Sequence, residues 1–243
     1  LRERKEYEFQ PVDLGNVCHR ALEIFSGKVE KEHKKWTELT EEERRKYIGE
    51  SVEEAIADYG NSVLYSSARN EYKIVRMKWM LERTVWALTK QLQAGDFIPE
   101  SYEFRFENGK IDRIDICEDD DKVYVKVMDY KTGSKAFDVV ALYHGLQLQL
   151  MVYMDAAVRM EEKRHVGKEV IPAGVFYYRI QDPFVDKRSK EERESKSSII
   201  EEDILKVLKP DGIINLQSEA LRHLDRVTQG ESLAVPVKYN KNG

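Results

Sequence analysis

The stretch GKIDRIDICEDDDKVYVKVMDYKTG, Gly109 to Gly133, sets seven acidic residues among valines and isoleucines and ends on Asp-Tyr-Lys-Thr-Gly. Carboxylates are costly to bury unless they are paired, hydrogen-bonded or bound to metal, so acids at this density in a strand pattern need a reason. If KIDRIDIC and VYVKVMDYK pair antiparallel around a turn at Asp120 and Asp121, the facing positions can be read off. One face carries Ile116 opposite Val125, Ile114 opposite Val127 and Asp112 opposite Asp129. The other face sets Asp115 opposite Lys126, a pair expected to hold register for about 0.2–1 kcal/mol. Asp115 is accordingly read as structural, with modest cost on removal.

Like charges directly opposed in a sheet are destabilising, and a divalent cation between Asp112 and Asp129 would let them coexist. Lys131, two residues on, shares their face. Two carboxylates to hold Mg²⁺, with an ammonium to orient water or offset developing phosphate charge, make an arrangement suited to phosphodiester cleavage. The bland alternative is an exposed strand end whose acids face water. A bulge or a longer turn would also break the register.

The elements that must position these residues follow from periodicity. PVDLGNVCHRALEIFSG places Leu14, Val17, Ala21, Leu22 and Phe25 at helical spacing, with Asp13 as N-cap and Gly27 as stop. TEEERRKYIGESVEEAIADYG opens on the capping-box pattern Thr40-x-x-Glu43, and a longer helical pattern follows from about Asn61 to Gln93. These form a helical insert over about residues 28–98. The period changes to two near Ser101, returns to helical from about Asp138 to Lys163, and becomes a strand again through VIPAGVFYYRI. VDKRSKEERESKSS has dense charge of both signs and no apolar period, which predicts a mobile loop over about residues 185–199. Its Lys187, Arg188 and Lys190 are candidate phosphate contacts.

The residues now carry a resemblance. Asp112 followed by Asp129-Tyr130-Lys131 resembles the D…(D/E)XK signature of the PD-(D/E)XK nucleases, and GKIDRID…DYKTG is close to its RecB-like form. Gly15-x-x-x-His19 resembles that branch's N-terminal motif, and QLQLMVYMDAA contains Gln149-x-x-x-Tyr153, whose members lie one turn apart on a helix. By itself His19 reads as a packing histidine, and Gln-x-x-x-Tyr by itself means nothing; the four motifs stand in family order. LRERKEYEF, GKIDRID, DYKTG and YHGLQLQL look closest to the nuclease domains of the AddB type, which belong to bacterial ATP-dependent helicase-nucleases, and the likeness covers most of the chain.

The resemblance implies an α/β, restriction-endonuclease-like core, a mixed central sheet flanked by helices, in a single nuclease domain over residues 1–243. It implies a Mg²⁺- or Mn²⁺-dependent deoxyribonuclease, an exonuclease that processes double-strand break ends for recombinational repair beside an AddA-like helicase-nuclease partner. His19, Asp112 and Asp129 would bind metal, helped by the Tyr130 backbone carbonyl. Lys131 would act on the attacking water, with Gln149 and Tyr153 supporting the site and its DNA contacts. AddB-type domains usually carry four cysteines for an iron-sulfur cluster, which this sequence does not supply, so a cluster is expected only in a longer chain. A Walker A phosphate loop is absent too, and ATP hydrolysis is not expected of this segment.

Composition narrows the alternatives. The 243 residues hold 40 Lys and Arg against 45 Asp and Glu, a formal charge of −5, so a nucleic acid must be held by a local basic face. Cys18 and Cys117 are too few for a disulfide framework and are expected as buried thiols in a reducing cytosol. No apolar run approaches the roughly 18 residues needed to span a bilayer, which predicts a cytoplasmic protein. Leu1 is not an initiator methionine, and the chain is expected to be a piece of a longer one. Asp119 to Asp121 read as a solvated turn rather than a calcium loop. Trp36, Trp79 and Trp86 read as helix-packing anchors rather than base-stacking platforms. Of Tyr177 and Tyr178, one is expected to reach the site. A non-catalytic DNA-binding or scaffold domain is the competing class, and a nuclease for RNA or branched DNA is a further alternative.

Overall fold

A computed structural model of the chain describes residues 10–60, 67–107, 109–133, 137–183, 197–227 and 229–239. The chain divides into two compact units: residues 1–86 with 180–182, and residues 87–179 with 183–243.

The first unit is helical. α1, Pro11–Lys31, begins earlier than the apolar spacing suggested. Pro11 occupies the first turn, where its missing N–H costs nothing, and Asp13 is not the cap itself: it accepts the Gln10 backbone N–H at 2.8 Å from inside the helix. Gly27 does not stop α1, because the next turn buries Val29 and pairs Lys28 with Glu54 at 2.6 Å and Glu50 at 3.3 Å. A 3-10 turn at Trp36–Glu38 follows, and the Trp36 ring meets Phe25 edge-on with centroids 4.9 Å apart. α2, Glu41–Gly60, starts on the expected capping box, with Thr40 N–H to Glu43 Oε2 at 3.0 Å and Glu43 N–H to Thr40 Oγ1 at 3.2 Å. α3, Ala68–Ala94, buries Ile74, Met77, Leu81 and Val85 at helical spacing.

The second unit is built on a five-stranded mixed sheet in the order β1-β2-β3-β4-β5. Its strands are β1, Ile98–Phe106; β2, Gly109–Asp119; β3, Lys122–Lys131; β4, Glu169–Arg179; and β5, Asp211–Ile214. Within this sheet only β3 and β4 run parallel, and the helices between them supply the crossover that parallel pairing needs. The expected turn is present at Asp120 and Asp121, with Asp120 at φ +29°. The β2–β3 register is the expected one, pairing Ile116 with Val125, Ile114 with Val127 and Asp115 with Lys126.

The helical pattern expected over 138–163 is two helices. α4, Val139–Tyr143, is capped by Asp138, whose carboxylate accepts the Val140 and Ala141 amides. Gly145 then adopts φ +76°, a left-handed conformation that ends helical continuation. α5, Gln149–Arg164, lays Leu150, Tyr153 and Ala157 on the sheet face formed by Ile114, Val125, Val127, Val175 and Tyr177. The opposite face packs Cys117, Tyr124, Ala173 and Phe176 against Phe97, Val235 and the Ala220 and Leu224 of a C-terminal helix. The C-terminal elements, α6 at Ser197–Val207, α7 at Ser218–Leu224 and the short pair β6, Gly230–Glu231, with β7, Lys238–Tyr239, carried no signal that periodicity resolved.

Cys18 and Cys117 are buried free thiols, as expected. Burial pushes their thiols up to about 12 and about 11, which removes thiolate reactivity near neutral pH. No helix among the described residues is long and apolar enough to cross a membrane.

Candidate active site

The second unit collects its acids where β2 and β3 diverge. The ladder ends at Arg113 with Met128; one step further in the same register lie Asp112 and Asp129, both buried, at 5% and 3% exposure. The Tyr130 backbone N–H donates to Asp112 Oδ2 at 2.6 Å. This bond ties the first acid to the strand that carries the second acid and the lysine. Lys131 pairs with Asp129, and its ammonium stands 5.1 Å from the centre of the Tyr177 ring. Tyr177 neighbours Asp129 across the parallel ladder, so of the two tyrosines it is the one on the site face.

α5 covers this face. The Gln149 amide donates to the Tyr153 hydroxyl at 2.6 Å, and Tyr153 meets Phe106 edge-on at 5.8 Å. Burial raises the Tyr153 hydroxyl above its usual range, and the charges of Asp129 and Asp112 act in the same direction while Gln149 and Lys131 oppose them. Gly109 packs against this ring: a Cβ at that position would stand 3.2 Å from it, a tight contact that the Tyr153 side chain would have to accommodate.

Sequence reasoning missed Glu103. The pairs Tyr102 with Arg113 and Phe104 with Ile111 bracket it opposite Asp112, and carboxylate oxygens of Glu103 and Asp112 lie within 4.8 Å of one another. Glu103 pairs with Lys110 and holds φ +50° inside a strand, a backbone cost that concentrates at functional sites. Its place opposite Asp112 follows from the β1–β2 pairing that closes at Phe106 with Gly109, clear of the register shift between Pro99 and Ser101; the sequence reading paired only β2 with β3.

The other sheet face corrects the reading of Asp115. Its pairing with Lys126 is present at 2.8 Å, but the pair is not a surface cross-strand contact. Arg113 grips Asp115 through two bonds, Nε at 2.6 Å and Nη2 at 2.7 Å, and the three residues are 0%, 1% and 8% exposed for Asp115, Arg113 and Lys126. Burial by itself would raise the Asp115 carboxyl, yet the charges of Arg113 and Lys126 hold it below the usual range. The Tyr130 hydroxyl joins this cluster, receiving Arg113 Nη1 at 3.3 Å, and burial pushes it up to about 12. The Tyr130 side chain thus points away from the site, as its expected backbone role requires.

The structure therefore brings Asp112, Asp129, Lys131, Gln149 and Tyr153 to one region and adds Glu103 and Tyr177. His19 lies on α1 of the first unit. Lys187, Arg188 and Lys190 lie outside the described residues. Trp36 is a packing anchor as expected, whereas Trp79 is 64% exposed and is not one.

A mixed five-stranded sheet with two buried acids and a lysine at one end of adjacent strands defines a nuclease-type core. A family model for the PD-(D/E)XK nuclease superfamily matches residues 1–239, and the chain belongs to that superfamily. Among curated proteins, the B subunit of the ATP-dependent helicase/deoxyribonuclease of Lachnoclostridium phytofermentans is 40% identical over 260 residues, which cover 100% of this chain and 22% of that protein. The B subunits of the same enzyme from Alkaliphilus metalliredigens and from Thermoanaerobacter sp. are 33% and 32% identical over 262 residues, covering 99% and 100% of this chain and 22% of each protein. The chain spans about a fifth of the length of these relatives.

Proposed function

We propose that this chain is a divalent-metal-dependent deoxyribonuclease module that hydrolyses phosphodiester bonds. The observation that carries the reading is the convergence of Asp112, Asp129 and Lys131 where β2 and β3 end. Carboxylate oxygens of Asp112 and Glu103 lie within 4.8 Å of one another, Asp129 stands one step beyond the β2–β3 ladder opposite Asp112, and the Lys131 ammonium sits on Asp129 and the Lys110 ammonium on Glu103. A set of hard oxygen donors of this kind fits Mg²⁺ or Mn²⁺. Asp112, Asp129 and the Tyr130 carbonyl would hold the ion, and Glu103 is a further oxygen donor. His19 is proposed as an additional ligand on the strength of its Gly-x-x-x-His motif alone.

When bound, the ion supplies Lewis-acid polarisation and charge neutralisation of a phosphodiester. Lys131, steered by Asp129 and the Tyr177 ring, orients the attacking water and offsets charge that develops on the phosphate. Water adds to phosphorus, the ester P–O bond breaks, and the leaving oxygen takes up a proton. Gln149 and Tyr153 hold each other in place beside the acids. Lys187, Arg188 and Lys190 are proposed phosphate contacts.

The relatives' names support a DNA-cutting role within a helicase-nuclease. By extension we assign this module to exonucleolytic processing of broken DNA ends for recombinational repair, in the cytoplasm, with an AddA-like partner. The test is degradation of end-labelled single- and double-stranded DNA with Mg²⁺, Mn²⁺ or EDTA. Metal-dependent cutting that vanishes in Lys131→Ala is the expected result. Folded protein that cuts under no metal, or a Lys131→Ala variant that cuts like the parent, overturns the reading.

A further inference from the structure

The α3 helix presents to solvent a pattern that core packing does not use. Tyr72 and Trp79 are 65% and 64% exposed, and Val75 between them is 44% exposed. Trp86, partly exposed, continues the series. Tyr72, Trp79 and Trp86 follow at intervals of seven residues, and so do the exposed Arg69, Arg76 and Arg83. On a helix, seven residues rise about 10.5 Å and drift only about 20°. The aromatics therefore form one line, and the arginines form a second line along one flank. The opposite flank carries Glu71 and Glu82. Of the arginines, Arg76 faces Asp182 across 3.9 Å, with both side chains about half exposed, a pair of little energetic weight.

Large exposed aromatics beside a basic row mark an interaction surface. The charge is one-sided, so the occupant must set negative charge along the arginine flank and flat apolar groups over the rings, away from the acids. We propose that this stripe binds single-stranded nucleic acid, with phosphates along Arg69, Arg76 and Arg83 and unstacked bases on Tyr72 and Trp79. Base stacking explains the exposed rings, and phosphate complementarity explains the arginine row. A duplex keeps its bases stacked and cannot use the rings. The stripe lies outside every motif of the candidate active site, although the proposal rests on the nucleic-acid reading of this chain.

The experiment uses the full chain in EDTA, where hydrolysis is suppressed, and a short labelled oligothymidylate. Binding should quench tryptophan fluorescence, and Trp79→Ala should remove most of the quench and weaken binding roughly tenfold. Arg83→Gln should make the dependence of log affinity on log salt shallower by about 0.7, the share of one phosphate on a single strand. A duplex of the same length should show no dependence on Trp79. Both substituted side chains are exposed, so folding is spared, and circular dichroism checks it. Unchanged affinity and quench in Trp79→Ala overturn the proposal, as does duplex binding with the same Trp79 dependence. Self-association of the chain that Trp79→Ala abolishes, without oligothymidylate binding, overturns it in favour of a protein-docking face. Cleavage of the same oligonucleotide with Mn²⁺, compared with Lys131→Ala, separates the two readings. Cutting without Trp79-dependent binding sinks the stripe alone, and Trp79-dependent binding without cutting sinks the nuclease alone.

Discussion

Asp112 Oδ2 accepts the Tyr130 backbone N–H at 2.6 Å, so the first acid of the candidate site is bonded to the residue that separates the second acid from the lysine. Under the proposed function this carboxylate has two tasks, closing the strand end and offering oxygen to a cation. Asp112→Asn keeps an acceptor for the amide and should retain stability, while Asp112→Ala should lose about 1–3 kcal/mol more by leaving that N–H buried without its partner. Both should lose metal-dependent cleavage. Thermal unfolding of the two variants beside an end-labelled DNA assay separates the tasks, and equal stability of the pair contradicts the first.

Lys131 pairs with Asp129 and stands over Tyr177, which fixes a long flexible side chain. Lys131→Ala should reduce the cleavage rate by about 10²–10³, the range for losing one charge-stabilising donor, while Mn²⁺ binding measured by calorimetry persists. Loss of Mn²⁺ binding together with activity would instead make Lys131 a structural partner of the acids.

Asp115 is a structurally sensitive position, buried between Arg113 and Lys126. Removing one partner of a buried ion cluster leaves the others uncompensated, and Asp115→Ala should destabilise by about 3–5 kcal/mol rather than the modest amount a surface pair would cost. Chemical denaturation reads this directly, and a loss under about 1 kcal/mol would return Asp115 to the surface-pair class.

The same residue predicts an acid limb. The Asp115 carboxyl is held below its usual range by Arg113 and Lys126 against the opposing effect of burial. A carboxyl depressed in the folded state contributes stability in full above its unfolded value of about 3.9, and that contribution drains away as pH falls through the lower folded value. Stability measured from pH 6 downward should therefore fall below about pH 4, and the slope should flatten in Asp115→Asn at equal ionic strength. An unchanged slope in the variant would assign the acid limb to other carboxylates.

Gly109 lies against Tyr153, where a new Cβ would come within 3.2 Å of the ring. Gly109→Ala should shift Tyr153 and loosen its bond to Gln149, costing about 1–3 kcal/mol as an overpacked site does and lowering cleavage several-fold. Parental activity and stability would mean that the ring yields freely.

Much of the sheet was legible because two short-range rules determine it. Alternation assigned the faces of β2 and β3, and the acidic turn set their register, so the spacing alone put Asp112, Asp129 and Lys131 on one face. The capping box at Thr40 was equally local. Other features escaped the sequence for reasons that are equally physical. The glycine at position 27 predicted a helical stop that burial of Val29 in the next turn overrides, and the apolar spacing predicted one helix from Asp138 that Gly145 divides.

The Gln149-Tyr153 pair was picked out only by the family resemblance; what the sequence by itself determined is that two acids and a lysine in period-two spacing share one face. These follow from alternation and turn geometry, which act between near neighbours. The tertiary structure decided what long-range packing controls. It put Asp115 in a dry cluster with Arg113, because a strand pattern says which face a residue takes but not whether that face is covered. It brought Glu103 to Asp112 through the pairing of β1 with β2, which the alternation within either strand does not set, and it put Tyr177 beside Asp129 by the parallel pairing of β4. It left Trp79 in solvent, since whether a helix face meets a neighbour depends on elements far away in the chain.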